Sequence, residues 1–416
     1  RVDRRQRQMC IRDRFNVKTL QEVKEIILKH GDNYPLKKQM VRTLESKGYI
    51  LSKDIYALED VPLFNRSTVD GYACKYDDIK LASESTPAIL SIRGEVHMGK
   101  EYKDTLQHNQ AIIVPTGGQI PSGSDVSVMI ENTELLDDSV LIFKKASKYE
   151  NIILKSADIK IGDLLIEKGH KITSRTIGAL MSQNIKEIEC YMPLSATIIS
   201  SGDELALDKD ELSIGEVRDI NTYTIKETLK NHNIAIDKAV IIRDRFEDYK
   251  ETVLQAFESS DIVFASGASS VGEKDYTIHV LQDIGAEILV HGLNIKPGKP
   301  TIVAKHQNKY FIGLPGHPTS AYIVLSMLID TLIESIYKTA HIEDYYIEGV
   351  LQSNVHNNSG RMFIQLVHYE KGEIHPLHYK SSMIHTLTVA NGYIIVPATS
   401  EGIYQGETIK VYKLGD

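Results

Sequence analysis

A chain of 416 residues, 42% hydrophobic and 25% charged, has the composition of an ordinary globular protein, and its length predicts roughly two to four domains. A formal net charge of −8 excludes a general nucleic-acid binder, which needs a basic face, but leaves room for a local basic patch around a small anion. No apolar run approaches the roughly 20 residues of a membrane span. The three cysteines, Cys10, Cys74 and Cys190, are too scattered for a disulfide framework or a zinc site. The expectation is a cytoplasmic protein with neither a membrane nor a nucleic-acid partner.

Residues 1–14 hold six arginines and no lysine, unlike the lysine-rich chain that follows, and read as a tail foreign to the fold. Leu20, Val23, Ile27 and Leu28 recur at helical spacing, which predicts a helix over 17–30 stopped by Gly31. A second helix is expected over 37–47, ended by Gly48. Short β segments follow at 88–95, 111–114, 126–130 and 140–144, between Gly, Pro and Asn signals, and predict a β domain inserted at 73–145. Thr173 is expected to cap a helix running to 183, with Ile177, Leu180 and Met181 inward.

From 194 to 338 the pattern alternates. Strands are expected at 196–200, 238–242, 261–265, 287–290, 301–304 and 310–314, and helices at 222–231, 247–258, 276–284 and 319–337. Such alternation predicts a mostly parallel sheet with helices on both faces and a ligand site beyond the carboxyl ends of its strands. Four loops fall there: Ser201-Gly-Asp-Glu204, Arg243-Asp244, the stretch 266–275, and Leu314-Pro-Gly-His-Pro318. Strands return from 341 to 416 and predict a small C-terminal β domain.

The densest signal lies at 294–320. Lys296-Pro-Gly-Lys-Pro300 puts two ammonium groups on one stiff turn, whose mutual repulsion an oxyanion would relieve. Gly313-Leu-Pro-Gly-His-Pro318 then leads into a helix whose N-terminus suits anions again. Spacing alone also fits two structural turns with solvated lysines. The Ser/Gly-rich loop after the strand at 261–265 has the strand, small-residue loop, helix order of a phosphate cradle. It is not a Walker loop, because Glu273 stands where the lysine belongs, and no strand end carries GxGxxG.

Seven stretches, in order between about residue 60 and residue 382, carry a family resemblance: Ser67-Thr-Val-Asp-Gly-Tyr-Ala73, Thr116-Gly-Gly-Gln-Ile-Pro121, Ser201-Gly-Asp-Glu-Leu205, Gly215-Glu-Val-Arg-Asp-Ile-Asn221, 266–275, 296–300 and 313–320. Together they resemble the molybdopterin molybdotransferase family, which inserts molybdate into the molybdenum cofactor. The resemblance implies a multidomain α/β plus β fold. A discontinuous N-terminal helical/linker domain would cover 15–72 and 146–193, with the β domain inserted at 73–145. A central doubly wound α/β molybdopterin-binding domain would cover 194–338, and a small β-barrel-like domain 341–416. It also implies a homodimer with sites between subunits, and contact with the adenylyltransferase acting one step earlier.

The implied reaction transfers molybdate to the dithiolene of adenylylated molybdopterin and releases AMP, with Mg2+ or another divalent cation assisting. By resemblance, Asp70, Glu204, Asp244, Asp275 and Lys296 are catalytic, and Asp244 and Asp275 hold the metal. Lys296, Lys299, Pro300, Arg361 and Ser381 bind molybdate. Thr116, Gly202, Asn221, Gly267, Ser269, Ser270, Gly272, Gly316 and Ser320 bind molybdopterin and AMP. Asp158 matches a further acidic position. Asp275 fits a helix cap equally well, and Asp203 and Glu204 fit solvated turn carboxylates. The chain departs from the family pattern at His317 (for Asn), Ala268-Ser269 (for Gly-Val), Gly292 (for Lys), Ser156-Ala157 (for Gly-Glu) and Leu366 (for Arg). A tungstate-specialised paralogue, the adenylyltransferase and a non-catalytic scaffold of the same fold are the competing readings.

Overall fold

The computed structural model describes residues 17–31, 34–206, 210–267, 276–339 and 345–414. The chain divides into two compact units, one built from 53–167 and 175–186, the other from the remainder.

The smaller unit is built on a six-stranded sheet in the order Val126–Met129, Gly71–Cys74, Gln110–Val114, Ala88–Glu95, Ser139–Ile142, Thr133–Leu136. Tyr72, Leu90, Ile112, Val126 and Val140 fill its core. Gly71 is obligatory, because a Cβ there would lie 1.8 Å from the Val128 carbonyl oxygen. The helix at Ser174–Ser182 buries Thr176 and Leu180, with Gln183 one turn on. Met181, expected inward, is 38% exposed. The true stripe is 176, 180, 183, and the Gln183 side-chain oxygen accepts from the Leu58 and Glu59 N–H groups at 2.8 and 2.9 Å.

The larger unit opens with α1 (Leu20–His30). Thr19 and Glu22 form a reciprocal capping box at its start, and Leu20, Val23 and Ile27 are buried. Gly31 ends α1 for a reason its sequence position does not show. Its φ is an ordinary −79°, but a Cβ would lie 2.2 Å from the Ser335 carbonyl oxygen. The helix expected at 37–47 is absent. Lys38–Arg42 is a strand paired antiparallel with Glu187–Tyr191, followed by one 3-10 turn at Thr43–Glu45. Met40 and Leu44 are 58% and 71% exposed, so the apolar residues that suggested a helix form no inward stripe. The pairing partner lies far along the chain, where local periodicity carries no information about it.

The α/β part runs β1 (Ser195–Ser201), α2 (Asn221–Asn231), β2 (Ala235–Ile242), α3 (Phe246–Ser259), β3 (Ile262–Ser266), α4 (Tyr276–Asp283), β4 (Glu287–His291), β5 (Ile302–His306), β6 (Lys309–Leu314) and α5 (Pro318–Tyr337). The sheet order is β2-β1-β3-β6-β5-β4. The ladders β1–β2, β1–β3 and β3–β6 are parallel, and only β5 runs against its neighbours. Sheet residues alternate between two cores. Ile198, Phe264 and Ile312 pack with α1, α2 and α5, while Ile199, Val263 and Phe311 pack with α3 and α4. The sheet is therefore doubly wound, with β3 at its centre.

Helix α5 corrects one expectation. It has 20 residues and is long and apolar enough, by length and composition, to cross a membrane. Its most apolar window is 78% buried inside the protein, which makes it a core helix. The C-terminal part is a small barrel of β7 (Tyr346–Leu351), β8 (Met362–Glu370), β9 (Glu373–Pro376), β10 (Gly392–Val396) and β11 (Thr408–Lys413), ordered β8-β9-β7-β11-β10 and closed by β8–β10 pairing. Leu351, Val367, Ile374, Ile394 and Val411 fill it.

The α1–α5 crossing is testable. Gly31→Ala is expected to cost about 1–3 kcal/mol, the usual range for overpacking against backbone. A lowered urea midpoint at unchanged m would report it; a parental midpoint would show that the two helices separate freely.

Candidate functional site

Strand β1 changes character at its end. Ile198 and Ile199 belong to the two cores, whereas Ser200 and Ser201, next along, carry hydroxyls. The same switch occurs at Ser266 in β3. Beyond these ends a cavity of about 1340 Å³ opens between the α/β sheet and loops of the barrel. A site beyond the carboxyl ends of parallel strands is what a doubly wound sheet provides.

On the sheet side the cavity gathers Gly202, Gly267, Gly316 and Asn221, with Ser320 at the start of α5. Gly267 has φ +100°, and a Cβ there would lie 1.9 Å from the Ser201 carbonyl oxygen, so only glycine lets the two loops touch. Asn221 Nδ2 donates to the Gly316 carbonyl at 2.9 Å and ties the β6–α5 turn to α2. Glu204 and Asp244 line the same wall. Asp203 sets their loops, because its side chain accepts from the Asp244 N–H at 3.2 Å and its carbonyl accepts from the Arg243 guanidinium.

The lysine turn forms the floor. Lys296, Lys299 and Pro300 line the cavity, with Lys299 half-buried and Lys296 exposed. Lys296 Nζ sits 5.5 Å from the centre of the Phe363 ring. Gly298 has φ +120°, and a Cβ would meet Ile295 and Val324 side-chain carbons at 2.7 Å. Thr301 Oγ1 donates to the Gly298 carbonyl at 2.7 Å. The barrel closes the cavity with Arg361 and Ser381. Arg361 is presented by a loop that Asn357 organises, donating to the Arg361 carbonyl at 2.9 Å and accepting from Ser359 Oγ at 2.6 Å.

Not every expected site residue joins this cavity. Asp70, Thr116 and Asp158 lie in the smaller unit. There the Thr116 N–H donates to Asp70 Oδ1 at 2.8 Å, and Ser67 and Gly117–Gly118 exchange backbone hydrogen bonds, so two motifs far apart in sequence meet. Asp158 is exposed. Asp275, Ser269, Ser270 and Gly272 lie outside the described residues. The N-terminus of α5 is less open than its sequence suggested: Pro318 has no N–H, and that of Thr319 donates to the Ser381 carbonyl at 3.2 Å.

Sequence reasoning missed Asp219. It is 8% exposed, lines the cavity, and accepts from Ser200 Oγ at 3.3 Å and the Thr222 N–H at 3.1 Å. Its Oδ2, like Oδ1 of Asn221, is buried without a partner among the described residues. The signal was present, since Asp219 sits inside the Gly215–Asn221 motif two residues before Asn221. His356, His378, Tyr379 and Lys380 were also missed as lining, whereas His317 lines the cavity within the 314–318 loop expected there. Two departures gain physical reasons. Gly292 has φ +108°, where a lysine would be strained. Leu366 is wholly buried in the core beneath α5.

Among the described residues, no group of three or more His, Cys, Asp or Glu could hold a metal ion alone. Of the two expected metal ligands, Asp244 lies among the described residues and lines the cavity, with a carboxylate of the kind magnesium takes.

The cavity has glycine-built loops on one side and Lys296, Lys299 and Arg361 on the other, a lining whose chemistry suits an anionic ligand. Three family models match consecutively: the MoeA N-terminal region (domain I and II) at residues 18–183, the probable molybdopterin binding domain at 197–334, and the MoeA C-terminal region (domain IV) at 348–414. The chain belongs to the molybdopterin molybdotransferase (MoeA) family. A protein named molybdopterin molybdenumtransferase from Staphylococcus epidermidis is 28% identical over 410 residues, 97% of each chain. One of the same name from Haemophilus influenzae is 28% identical over 91% of this chain and 94% of its own. The crystal structure of a molybdopterin biosynthesis MoeA protein from Pyrococcus horikoshii matches with TM-score 0.76 and 28% identity, covering 96% of this chain and all of the other.

Gly298→Ala is expected to lower stability by about 2 kcal/mol, through its left-handed backbone and the contacts at Ile295 and Val324. Chemical denaturation checks this, and parental stability would show a turn able to relax away from α5.

Proposed function

We propose that this protein is a molybdopterin molybdotransferase that transfers molybdate to adenylylated molybdopterin and releases AMP during molybdenum cofactor biosynthesis. The observation that supports this most is the single cavity in which Lys296, Lys299, Arg361 and Ser381 face the glycine-built loops at Gly202, Gly267 and Gly316. The lysines and Arg361 attract and orient the molybdate dianion. The loops let phosphate oxygens approach backbone closely, and Asn221 fixes the Gly316 turn against them. Holding the oxyanion beside the dithiolene turns an encounter between two solutes into a reaction within one complex. Magnesium, held by Asp244 with Asp275, would supply charge neutralisation at the phosphoanhydride. The adenylyltransferase reading is disfavoured by the matched regions outside the molybdopterin binding domain.

Charge-assisted hydrogen bonds are worth about 1.5–3 kcal/mol, so Lys299→Ala should raise the molybdate concentration needed for AMP release by roughly ten- to a hundredfold. Binding of the adenylylated pterin should stay nearly intact. AMP release titrated with molybdate measures this, and an unchanged dependence removes Lys299 from the oxyanion site.

The working assembly is proposed to be a homodimer in the cytoplasm, with Asp70 contributed across subunits and the adenylyltransferase as a neighbour in the pathway. Support comes from the smaller unit, where Leu58, Leu63, Phe64, Ile153, Leu154 and Leu164 are exposed. They lie on segments held side by side by the pairings Tyr56–Leu164, Val61–Ile159 and Ser67–Ile152. An apolar ribbon of this kind suits a second copy. Mixing Asp70→Ala with Lys296→Ala chains should then restore part of the activity. No recovery after verified subunit exchange would mean each site is built within one chain.

A further inference from the structure

Three hydrogen bonds join the start of α5 to the barrel loop at 381–383, and they divide two tasks. The Thr319 N–H donates to the Ser381 carbonyl at 3.2 Å, and Thr319 Oγ1 donates to the Met383 carbonyl at 2.8 Å. Thr319 is fully buried, so these two fix the loop backbone. The Ser381 hydroxyl is held separately, 2.8 Å from Nδ1 of His317.

A serine hydroxyl has one proton to give and two lone pairs, and a neutral imidazole nitrogen either donates or accepts. The tautomer of His317 therefore decides what Ser381 offers the cavity. With Nδ1 bare, the Ser381 proton is used on His317, and an approaching anion meets only lone pairs. With Nδ1 protonated, Ser381 accepts there and its own O–H is left to donate. The surrounding wall carries Lys296, Lys299, Arg361 and Lys380, which draw in anions. An oxyanion has only acceptors, so a hydroxyl on this wall helps it only as a donor.

We propose that His317 is the positioning residue of the oxyanion site, holding the Ser381 oxygen through Nδ1–H so that the Ser381 proton faces the bound oxyanion. This rests on reading the cavity as a molybdate site. The Thr319 bonds hold the loop without His317, so losing the imidazole frees the hydroxyl rotor and leaves the backbone in place.

Calorimetric molybdate binding to the full chain tests it, comparing parent, His317→Ala, His317→Asn, Ser381→Ala and the His317→Ala/Ser381→Ala double variant. Ser381→Ala should weaken binding roughly tenfold, and His317→Ala, which only frees a rotor with three staggered wells, roughly threefold. The double variant should be no weaker than Ser381→Ala, because both act through one hydroxyl. His317→Asn, whose amide N–H takes the place of Nδ1–H, should restore near-parental binding. Nitrogen-15 spectra of histidine-labelled parent should show His317 protonated at Nδ1, a readout needing no variant. A bare Nδ1, parental binding by His317→Ala, or additive losses in the double variant would each overturn the proposal. Absence of molybdate binding in the parent would instead bring down the oxyanion reading itself.

Discussion

The turn at 296–300 is the constraint on which the larger unit depends. Gly298 fits only because it lacks a Cβ between Ile295 and Val324, so the turn is pressed against α5. Ile295–Lys296 adds in parallel to Met362–Phe363 of the barrel, and the Met362 N–H donates to the Asn294 carbonyl at 3.2 Å. On the other side, the Leu293 and Thr301 N–H groups both donate to the Lys299 carbonyl at 2.9 Å. Five residues thus leave one sheet and brace the next. The cavity exists where they do so, and its two lysines have backbones that cannot shift without disturbing both domains.

The opposite wall follows a different logic. The β1 and β3 ends exchange apolar side chains for serines, which line the cavity. The resulting network, Ser200 with Asp219, Thr222 and Ser266, is buried and hydrogen-bonded. Among the described residues, it leaves Asp219 Oδ2 and Asn221 Oδ1 without partners. Each such atom costs about 1–3 kcal/mol. The protein tolerates that because the two hydrophobic cores flanking the sheet lie immediately behind these strand ends.

The cysteines carry a smaller lesson about environment. Cys74 and Cys190 are both buried free thiols. Burial pushes the Cys190 thiol up to about 11 and that of Cys74 higher still. A thiol held neutral in a β core is inert packing, which agrees with their scattered spacing in the chain.

Local sequence determined the alternation of β1 to α5, because 2-residue and 3.6-residue periodicities with Gly and Pro stops are properties of short windows. It also determined that four polar loops would lie at one edge, since a parallel sheet puts every strand end on the same side. Hence Glu204, Asp244, Gly267 and Gly316 could be placed at one edge before any fold was seen, while Lys296 stood out through its own stiff turn. Arg361 and Ser381 came only through family resemblance, as nothing in their own neighbourhoods marks them. What tertiary structure decided was everything that depends on a distant partner. Lys38–Arg42 became a strand because Glu187–Tyr191 was there to pair with it. Gly31 proved to be a packing glycine because Ser335 lies against it. Asp219 and His317 took their places in the cavity through contacts with Ser200 and Ser381, residues that a local window around either one does not contain.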